Sequence, residues 1–431
     1  MKRALPLLLL GCGTVTQALA QQSDATDGLG SVSTENPFGR DRNISVLERR
    51  RPDYSPEPIH VGALELLPRI AVGAGYDDNL YAQPDDRIGD AYLRIRPRFS
   101  LVRPSPTLKL SLDGELDLLR YTDRSSENAT QYRVDAGALY TISSSDTLDV
   151  TLRNGRYSQE RVSPDSPTQA ARPIRFMLTG GTATYTHVFN RLRLSAVFDA
   201  ENRNYSDSET PTGDPIDQDF RDHTIYTGTA IGEYALNPSI ALFVSGAVNQ
   251  RDYRERIGEV DARDSTGFDV AGGASFELGR KARGSLRLGY LLQDYRSQQF
   301  EDVSGFLVRG ELAYFLTPLV TITGTIDRGV RETGVNGATG YLATDATLRA
   351  DYELLRNLIL SAGVDLEQRD FNDIDRSDDR WTWRANASYL VSKRIALRFD
   401  VQRRTQSSRG VDAGRGFADN RVSVGVTFSG L

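Results

Sequence analysis

The chain of 431 residues contains 38 glycines, 19 tyrosines and one cysteine, and 26% of its residues are charged, with a formal net charge of −6. After the first residues, no segment approaches the ~20 apolar residues of a membrane helix, and one cysteine argues against a disulfide scaffold. A membrane β-barrel is not excluded, because its alternating apolar residues average out as polar. We expect no nucleic-acid partner.

The N-terminus has the pattern of a secretory signal peptide. Two basic residues precede an apolar run over residues 4–10, and Ala18-Leu19-Ala20 is typical of a cleavage site. We therefore predict a signal peptide over residues 1–20. The residues before Cys12 resemble a lipoprotein cleavage box, so lipidation of Cys12 is the alternative. With the ordinary cut, the mature protein has no cysteine and needs no disulfide.

Residues 21–62 differ in composition from the rest of the chain. They are rich in Gly, Ser, Asp, Asn and Pro and show no hydrophobic period, which predicts a short extended periplasmic segment. The segment carries a basic cluster of Arg49, Arg50 and Arg51. This cluster either belongs to a plain tether or docks onto the mouth of the following domain or onto a periplasmic partner.

Residues 63–431 alternate between strands and turns. In one hairpin, Val320, Ile322 and Ile326 share one parity while Thr321 and Thr323 share the other. This period of two residues is that of a β-strand with one apolar face. Short connections rich in Pro, Asn, Ser and Gly interleave with longer polar ones. Eight short and nine longer connections predict about 18 strands in one domain, with both termini on one side.

An even number of strands fits a transmembrane barrel. Ten residues tilted by about 40° cross roughly 25 Å, the height of the apolar band of such barrels. A soluble sandwich shows the same alternation, but the signal peptide, strand count and loop asymmetry favour the membrane barrel. We predict an all-β protein, a single transmembrane antiparallel β-barrel of ~16 to 18 strands in the cell outer membrane. Its expected partners are outer-membrane lipids, lipopolysaccharide and the barrel assembly machinery.

Aromatic residues near the strand ends predict two girdles at the membrane interfaces. Those at the long-loop ends are Tyr121, Tyr157, Tyr205, Tyr253, Tyr295, Phe371, Trp381 and Trp383. Those at the short-turn ends are Phe189, Phe315, Tyr352 and Tyr389.

Charged residues on the polar parity are predicted to line the lumen. They are Arg94, Arg96, Arg98, Asp113, Glu115, Asp117, Arg193, Asp199, Arg287, Asp327, Arg349, Arg384, Arg398 and Asp400. Opposite charges either pair across strands to hold the barrel or form a separated field that guides a solute. Because no outer connection greatly exceeds about fourteen residues, we expect no constriction loop.

The sequence gives little sign of catalysis. Its three histidines, His60, His187 and His223, belong to no motif with a serine nucleophile, so we predict that the protein is not an enzyme. Acidic loop clusters suggest calcium binding, but the cluster of Asp373, Asp375, Asp378 and Asp379 lacks the glycine and distal glutamate of a calcium loop. We predict solvated loops, with no metal and no cofactor.

Residues 66–128 carry a family resemblance. They contain LLPRI, then GYDDNLYAQPDDRIGDAYLRIRPRFSL, then RYTDRSSEN, and RRRPDY precedes them at residues 49–54. These motifs resemble the family of Gram-negative outer-membrane proteins called putative β-barrel porin 2. The remainder of the chain resembles the family only in pattern.

Members of that family often accompany exopolysaccharide or capsule production. The resemblance therefore implies a possible role in polymer export, with periplasmic polysaccharide export proteins as partners, which composition and spacing do not show. Three functions remain open from the residues: an aqueous conduit for a polymer, a diffusion porin for small solutes, and a structural barrel without an open pore.

Overall fold

The computed structural model describes residues 43–430, except residue 168 and residues 255–261. The predicted signal peptide, Cys12 and residues 21–42 of the predicted periplasmic segment lie outside the described residues. Within the described ranges, no helix combines the length and the hydrophobicity needed to cross a membrane. The secondary structure of the described residues is almost entirely β-strand, as the alternation of apolar residues predicts.

The strands, numbered in chain order, are β1 (Ile59–Val61), β2 (Leu64–Asp77), β3 (Asp90–Arg103), β4 (Leu108–Tyr121), β5 (Ala129–Thr141), β6 (Asp146–Ser158), β7 (Arg175–Phe189), β8 (Leu192–Tyr205), β9 (Ser208–Glu209), β10 (Pro215–Ile216), β11 (His223–Asn237), β12 (Ile240–Tyr253), β13 (Ser265–Leu278), β14 (Ala282–Tyr295), β15 (Val303–Thr317), β16 (Val320–Glu332), β17 (Gly340–Leu355), β18 (Leu358–Phe371), β19 (Ser377–Leu390), β20 (Ile395–Arg409) and β21 (Phe417–Ser429). Two short 3-10 helices, Ser125–Glu127 and Asp219–Arg221, lie in connections.

Eighteen of these strands form one closed antiparallel barrel. The main sheet contains 19 strands, of which β1 only extends the edge of β2. Each remaining strand pairs with its sequence neighbours, and β2 pairs with β21 from Arg69↔Ser429 to Asp77↔Arg421. This pairing closes the sheet and leaves no free edge, so the backbone groups of the barrel wall are satisfied within it. The predicted fold class is confirmed.

The two faces of each strand follow the alternation in the sequence. On β12, Leu242 and Val244 are exposed, whereas Ala241 and Ser245 are buried. The exposed apolar face points outward, where a membrane barrel meets lipid, and the buried face points into the barrel. The 18 barrel strands contain 13 to 16 residues rather than ten, so their ends extend beyond the apolar band.

One interruption of the ladder has a chemical cause. Pro97 lies in the middle of β3 and pairs with Ile70 of β2. On its other side, the ladder to β4 skips from Ile95↔Leu118 to Arg98↔Glu115. Proline has no N–H to donate, so it is tolerated only where one ladder lacks a bond.

The connections divide between the two ends of the barrel as predicted. Short turns join the strands at one end, where β2 also begins and β21 ends, and longer loops join them at the other. The longest loop in the described chain, residues 206–222, contains the small β9–β10 hairpin. We call these the short-turn end and the outer end.

Candidate functional site in the barrel interior

The fourteen charged residues predicted for the lumen all lie on the inward-facing side of their strands. Many are ion-paired within the wall. The pairs include Arg94 with Asp117, Arg98 with Glu115 (2.5 Å), Arg193 with Glu233 (2.5 Å), Arg309 with Asp327 (2.5 Å), Arg349 with Asp351 (3.0 Å), Arg384 with Asp365, and Arg398 with Asp400 (2.8 Å). Opposite charges of the described barrel wall therefore largely neutralise one another, in pairs across strands such as Arg98–Glu115 and along one strand such as Arg398–Asp400.

Two of the predicted lining arginines differ from the rest. Arg96 and Arg287 form no ion pair with any described residue. The Arg287 guanidinium instead lies 5.4 Å from the ring centroid of Phe243. Asp199 accepts a hydrogen bond from the Thr182 hydroxyl at 2.5 Å, while Asp113 faces the lumen near Ser100.

The aromatic residues at the outer end do not form the predicted girdle. Trp381 and Trp383 point outward, but Tyr157, Tyr205, Tyr253, Tyr295 and Phe371 are buried inside the barrel, and Tyr121 has the same inward parity. At the short-turn end, Phe189, Tyr352 and Tyr389 are exposed on the outer face, whereas Phe315 has inward parity. The prediction of an outer-end membrane girdle was therefore wrong for most of its members.

Inward-facing aromatic residues instead surround the interior near the outer end. We call them the inner aromatic belt, which consists of Tyr157, Phe176, Tyr205, Tyr253, Tyr295, Tyr341, Phe371 and Phe417, all buried. Phe176 stacks between Tyr157 (centroids 5.4 Å apart) and Tyr205 (5.2 Å). The alternation of side chains along each strand could have identified the belt. Tyr205 lies on the same face of β8 as Asp199, and Phe371 lies on the same face of β18 as Asp365.

Arginines from the outer loops cover the faces of these rings. Arg221 lies 4.0 Å from the centroid of Tyr205, Arg263 lies 4.7 Å from that of Tyr253, and Arg376 lies 4.6 Å from that of Phe371. These distances are within the range of cation–π attraction. The inner aromatic belt and its arginines together form a polar and aromatic narrowing of the lumen near the outer end.

One outer loop folds into the barrel mouth. Residues 159–167 follow β6, and we call them the lid loop; six of its residues are buried. Arg161 pairs with Glu127 in two hydrogen bonds of 2.9 and 2.7 Å. The Val162 carbonyl accepts a hydrogen bond from Arg380 of β19. The expectation that no loop constricts the lumen was wrong. The lid loop is not unusually long, but its hydrogen bonds to Glu127 and Arg380 hold it inside the barrel mouth.

Further contacts carry the lid loop across the mouth. Glu160 lies 3.3 Å from Arg404 of β20 and 3.7 Å from Arg421 of β21. Burial alone would raise the pKa of Glu160, but these two guanidinium groups outweigh it and lower the pKa. Asp165 accepts hydrogen bonds from the Thr333 hydroxyl and the Gly334 N–H on the loop after β16. The loop thus joins opposite parts of the wall.

The short-turn end also holds a folded-in segment. Residues 43–57, which we call the N-terminal segment, make two turns, the first capped by reciprocal Ser45 and Glu48 hydrogen bonds. Val46 is fully buried and donates its N–H to the Thr321 hydroxyl at 3.1 Å. Asn43 donates to the carbonyl of Gly279 at 2.9 Å.

The predicted basic cluster contacts the barrel itself. Arg49 and Arg51 both bind one carboxylate oxygen of Glu353 at 2.8 and 2.9 Å, while Arg50 is exposed. Burial lowers the pKa of Arg51, and Glu353 opposes the shift. Glu48 pairs with Arg283; burial would raise the pKa of Glu48, but the Ser45 N–H and Arg283 lower it. The N-terminal segment is therefore held by charges of both signs.

The histidines and loop acids occupy ordinary structural positions. His187 Nδ1 lies 2.6 Å from Asp146, and His223 Nδ1 lies 2.7 Å from the Arg221 carbonyl oxygen, while His60 is exposed. Among the described residues, the one convergent acidic group is Asp207, Asp217 and Asp219, which was not among the predicted clusters. Exposed acidic groups of this kind are common without an ion.

Three similar solved structures are proteins of Pseudomonas aeruginosa. OccK2 (OpdF) is 14% identical, with 85% of this chain and 98% of that chain covered and a TM-score of 0.46. OpdL is 16% identical, with 86% and 99% covered and a TM-score of 0.43. A mutant ferric enterobactin receptor, PfeA, is 9% identical, with 85% and 80% covered and a TM-score of 0.45.

These identities are too low to transfer the role of any residue. No curated protein is detectably similar in sequence to this chain. The family model described as Putative beta-barrel porin 2 matches residues 51–429, which include the whole barrel and the last turn of the N-terminal segment. The family expected from the motifs at the start of the barrel is thereby confirmed, and the chain belongs to the Putative beta-barrel porin 2 family.

Proposed function

We propose that this protein is a gated conduit in the outer membrane through which a carbohydrate polymer leaves the periplasm. The observation that carries the proposal is the inner aromatic belt. Aromatic faces pack against the C–H faces of sugar rings, and the Tyr hydroxyls and neighbouring polar groups can hydrogen-bond sugar hydroxyls. A belt of this kind suits a sugar better than an inorganic ion.

The ion-paired wall supports the same function. A long polymer must bind weakly at many places, because a tight site would stall it. Paired arginines and carboxylates such as Arg98 and Glu115 present hydrogen-bonding groups without a strong net field. At 18 strands, a barrel is wide enough to hold an aqueous path.

Both ends of the conduit carry a segment that must move for a polymer to pass. The N-terminal segment is bound at the short-turn end by Glu353, and the lid loop is bound at the outer end by Glu127, Arg380 and Arg404. A diffusion porin for small solutes works with a standing opening. Two bound segments instead favour passage that is opened on demand, with a periplasmic partner acting on the N-terminal segment.

Deletion of the gene separates export from general diffusion. We expect the deletion strain to release less surface or secreted polysaccharide while its uptake of small solutes stays near normal. A chain lacking residues 43–57 should still assemble in the membrane and restore export only in part. Normal polysaccharide with impaired uptake of a small solute would identify a diffusion porin instead.

Planar bilayers test the pore directly. The full chain should show rare conductance steps, and the chain without residues 43–57 should show frequent ones that oligosaccharides interrupt. Tyr205→Ala should shorten those interruptions, whereas Tyr226→Ala, on the outer face, should leave them unchanged. Electrical silence of both chains would rule out the conduit and favour a structural barrel.

A further inference from the structure

A small cavity lies beneath the lid loop, against the inner aromatic belt. Its lining includes Gln159 and Asp165 of the lid loop, Arg221, Tyr253 and Arg263. The volume is about 20 Å³, enough for one water molecule in the closed arrangement. Withdrawal of the lid loop would remove the two residues that roof it.

Two buried arginines of this cavity have no acidic partner among the described residues. Arg221 (4% exposed) donates to the side-chain oxygens of Gln159 (3.2 Å) and Gln218 (2.9 Å). Arg263 (3% exposed) donates to backbone carbonyls, including that of Thr333. Neither forms an ion pair with a described residue. Burial lowers the pKa of Arg263 to about 10, and a buried charge is ordinarily paired.

The other cavity arginines are paired, so the exception is specific. Arg203 binds Glu201 at 2.8 Å, and Arg331 binds Asp345. Tyr253 supplies a second unusual group, since it is 8% exposed and its hydroxyl has no hydrogen-bond partner within the described parts of the chain. Two guanidinium groups and one hydroxyl therefore lie at one place. Among the described residues, the arginines have only uncharged acceptors and the hydroxyl has none.

The lid loop brings one carboxylate to this place. Asp165 is 6% exposed, lines the cavity, and is held by the Thr333 hydroxyl and the Gly334 N–H (2.8 Å). Its negative charge acts on Arg263 without a direct ion pair. Glu332, the other acid of the lining, pairs with Arg251. Within the described lining, Asp165 is thus the one carboxylate without an ion-pair partner, and it lies with two guanidinium groups that likewise have none.

We propose that Arg221, Arg263 and the Tyr253 hydroxyl bind the carboxylate of an acidic sugar unit once the lid loop withdraws, and that Asp165 holds the place of that carboxylate in the closed state. The sugar ring would then lie beside the edges of Tyr205 and Tyr253, which line the cavity. This inference rests on the proposed function and names its substrate class, a polysaccharide that carries carboxylate groups.

Titration calorimetry on the full chain in detergent tests the inference. The probes are oligogalacturonate, a neutral malto-oligosaccharide of the same length, and sodium acetate. We expect oligogalacturonate to bind measurably more tightly than either of the others. Arg221→Gln and Arg263→Gln should each weaken its binding about tenfold or more, as the loss of a charge-assisted hydrogen bond does. Asp165→Asn should strengthen it.

Two further variants keep the outcome clear. Arg409→Gln removes an outer-end arginine that is mostly exposed and pairs with Asp379, and it should leave binding unchanged. Tyr253→Phe keeps the ring and removes only the hydroxyl, so it should weaken binding even where the arginine variants fold poorly. Equal binding of the acidic and neutral oligosaccharides would overturn the acidic-sugar site while leaving the conduit intact. The conduit itself would be overturned by different results: normal polysaccharide export in the deletion strain, or electrical silence in planar bilayers of both the full chain and the chain without residues 43–57.

Discussion

Single buried charges hold the folded-in segments at the two ends of this barrel. Glu353 is 4% exposed at its side chain and accepts hydrogen bonds from both Arg49 and Arg51 of the N-terminal segment. Arg51 is itself 7% exposed. A buried ion pair contributes little net stability when intact, but removal of one partner leaves the other uncompensated. Glu353 is therefore the residue whose loss should release the segment most directly.

Glu353→Gln should weaken docking of the N-terminal segment by about 3 kcal/mol, because it leaves the buried Arg51 charge without a counterion. Limited trypsin digestion of the folded protein in detergent measures this as faster cleavage within residues 43–57. Glu311→Gln is the matched control, since Glu311 is an exposed inward-facing carboxylate without a described ion pair. Equal cleavage of the two variants would show that Glu353 does not hold the segment.

Arg161→Met should open the lid loop in the same way. The buried Glu127, 2% exposed, would lose both of its hydrogen bonds to Arg161, at a cost of about 3 to 5 kcal/mol. A Ser163→Cys reporter, at a site 1% exposed, should then react faster with maleimide.

The companion change Glu127→Gln provides the control for the lid loop. In the double variant Arg161→Met/Glu127→Gln, no buried charge is left unpaired, so part of the protection of the reporter should return. If the double variant reacts as fast as the single variant or faster, charge pairing is not what holds the lid loop.

At the scale of the element, the alternation of side chains decides which solvent each residue meets. Ile326 lies at the middle of β16 with the outward parity, and Thr325 beside it faces the lumen. Ile326→Arg should therefore destabilise the folded barrel by about 2 to 4 kcal/mol, since it places a charge at mid-bilayer. Thr325→Arg should cost less than about 1 kcal/mol. Urea unfolding in lipid vesicles compares them, and equal costs would mean that the two faces are assigned wrongly.

Strands, faces and connection lengths were predictable from the sequence because each depends on a local period. The hairpin of β15 and β16 is an example: its apolar parity and its turn at Pro318 are both visible in the chain. The angular order of the charges did not follow from the sequence, because it depends on the register between paired strands, as in Arg98↔Glu115. Strand length was underestimated, because polar residues such as Arg404 and Gln406 continue β20 beyond the apolar band.

The candidate site was only partly predictable. Tyr205 and Tyr253 were assigned to the membrane interface by their position near strand ends, although their parity placed them inside. The lid loop could not have been predicted, because Glu160, Arg161 and Asp165 bind partners on distant strands and loops. Docking of the N-terminal segment was foreseen as one alternative, but nothing local in its sequence identifies Glu353 as the partner.

Over the whole molecule, the two ends share one electrostatic design. Each folded-in segment contributes a glutamate to arginines of the wall: Glu48 to Arg283 at the short-turn end, and Glu160 to Arg404 and Arg421 at the outer end. The arginines stay charged at any physiological pH. The glutamates are therefore the groups through which acid can act on both ends at once.

Acid should open the conduit. The pKa of Glu48 and that of Glu160 are both lowered in the folded state, so each glutamate stabilises the closed arrangement fully above the ordinary carboxyl pKa of about 4.3. That stabilisation is lost as the pH falls through the lowered pKa values. In planar bilayers, the full chain should be nearly silent at about pH 7 and conduct increasingly below about pH 4.

The double variant Glu48→Gln/Glu160→Gln should conduct already at neutral pH, whereas Glu311→Gln should behave as the unaltered chain. Conductance that is the same at both pH values, or a double variant that stays silent at neutral pH, would show that these two glutamates do not keep the barrel closed.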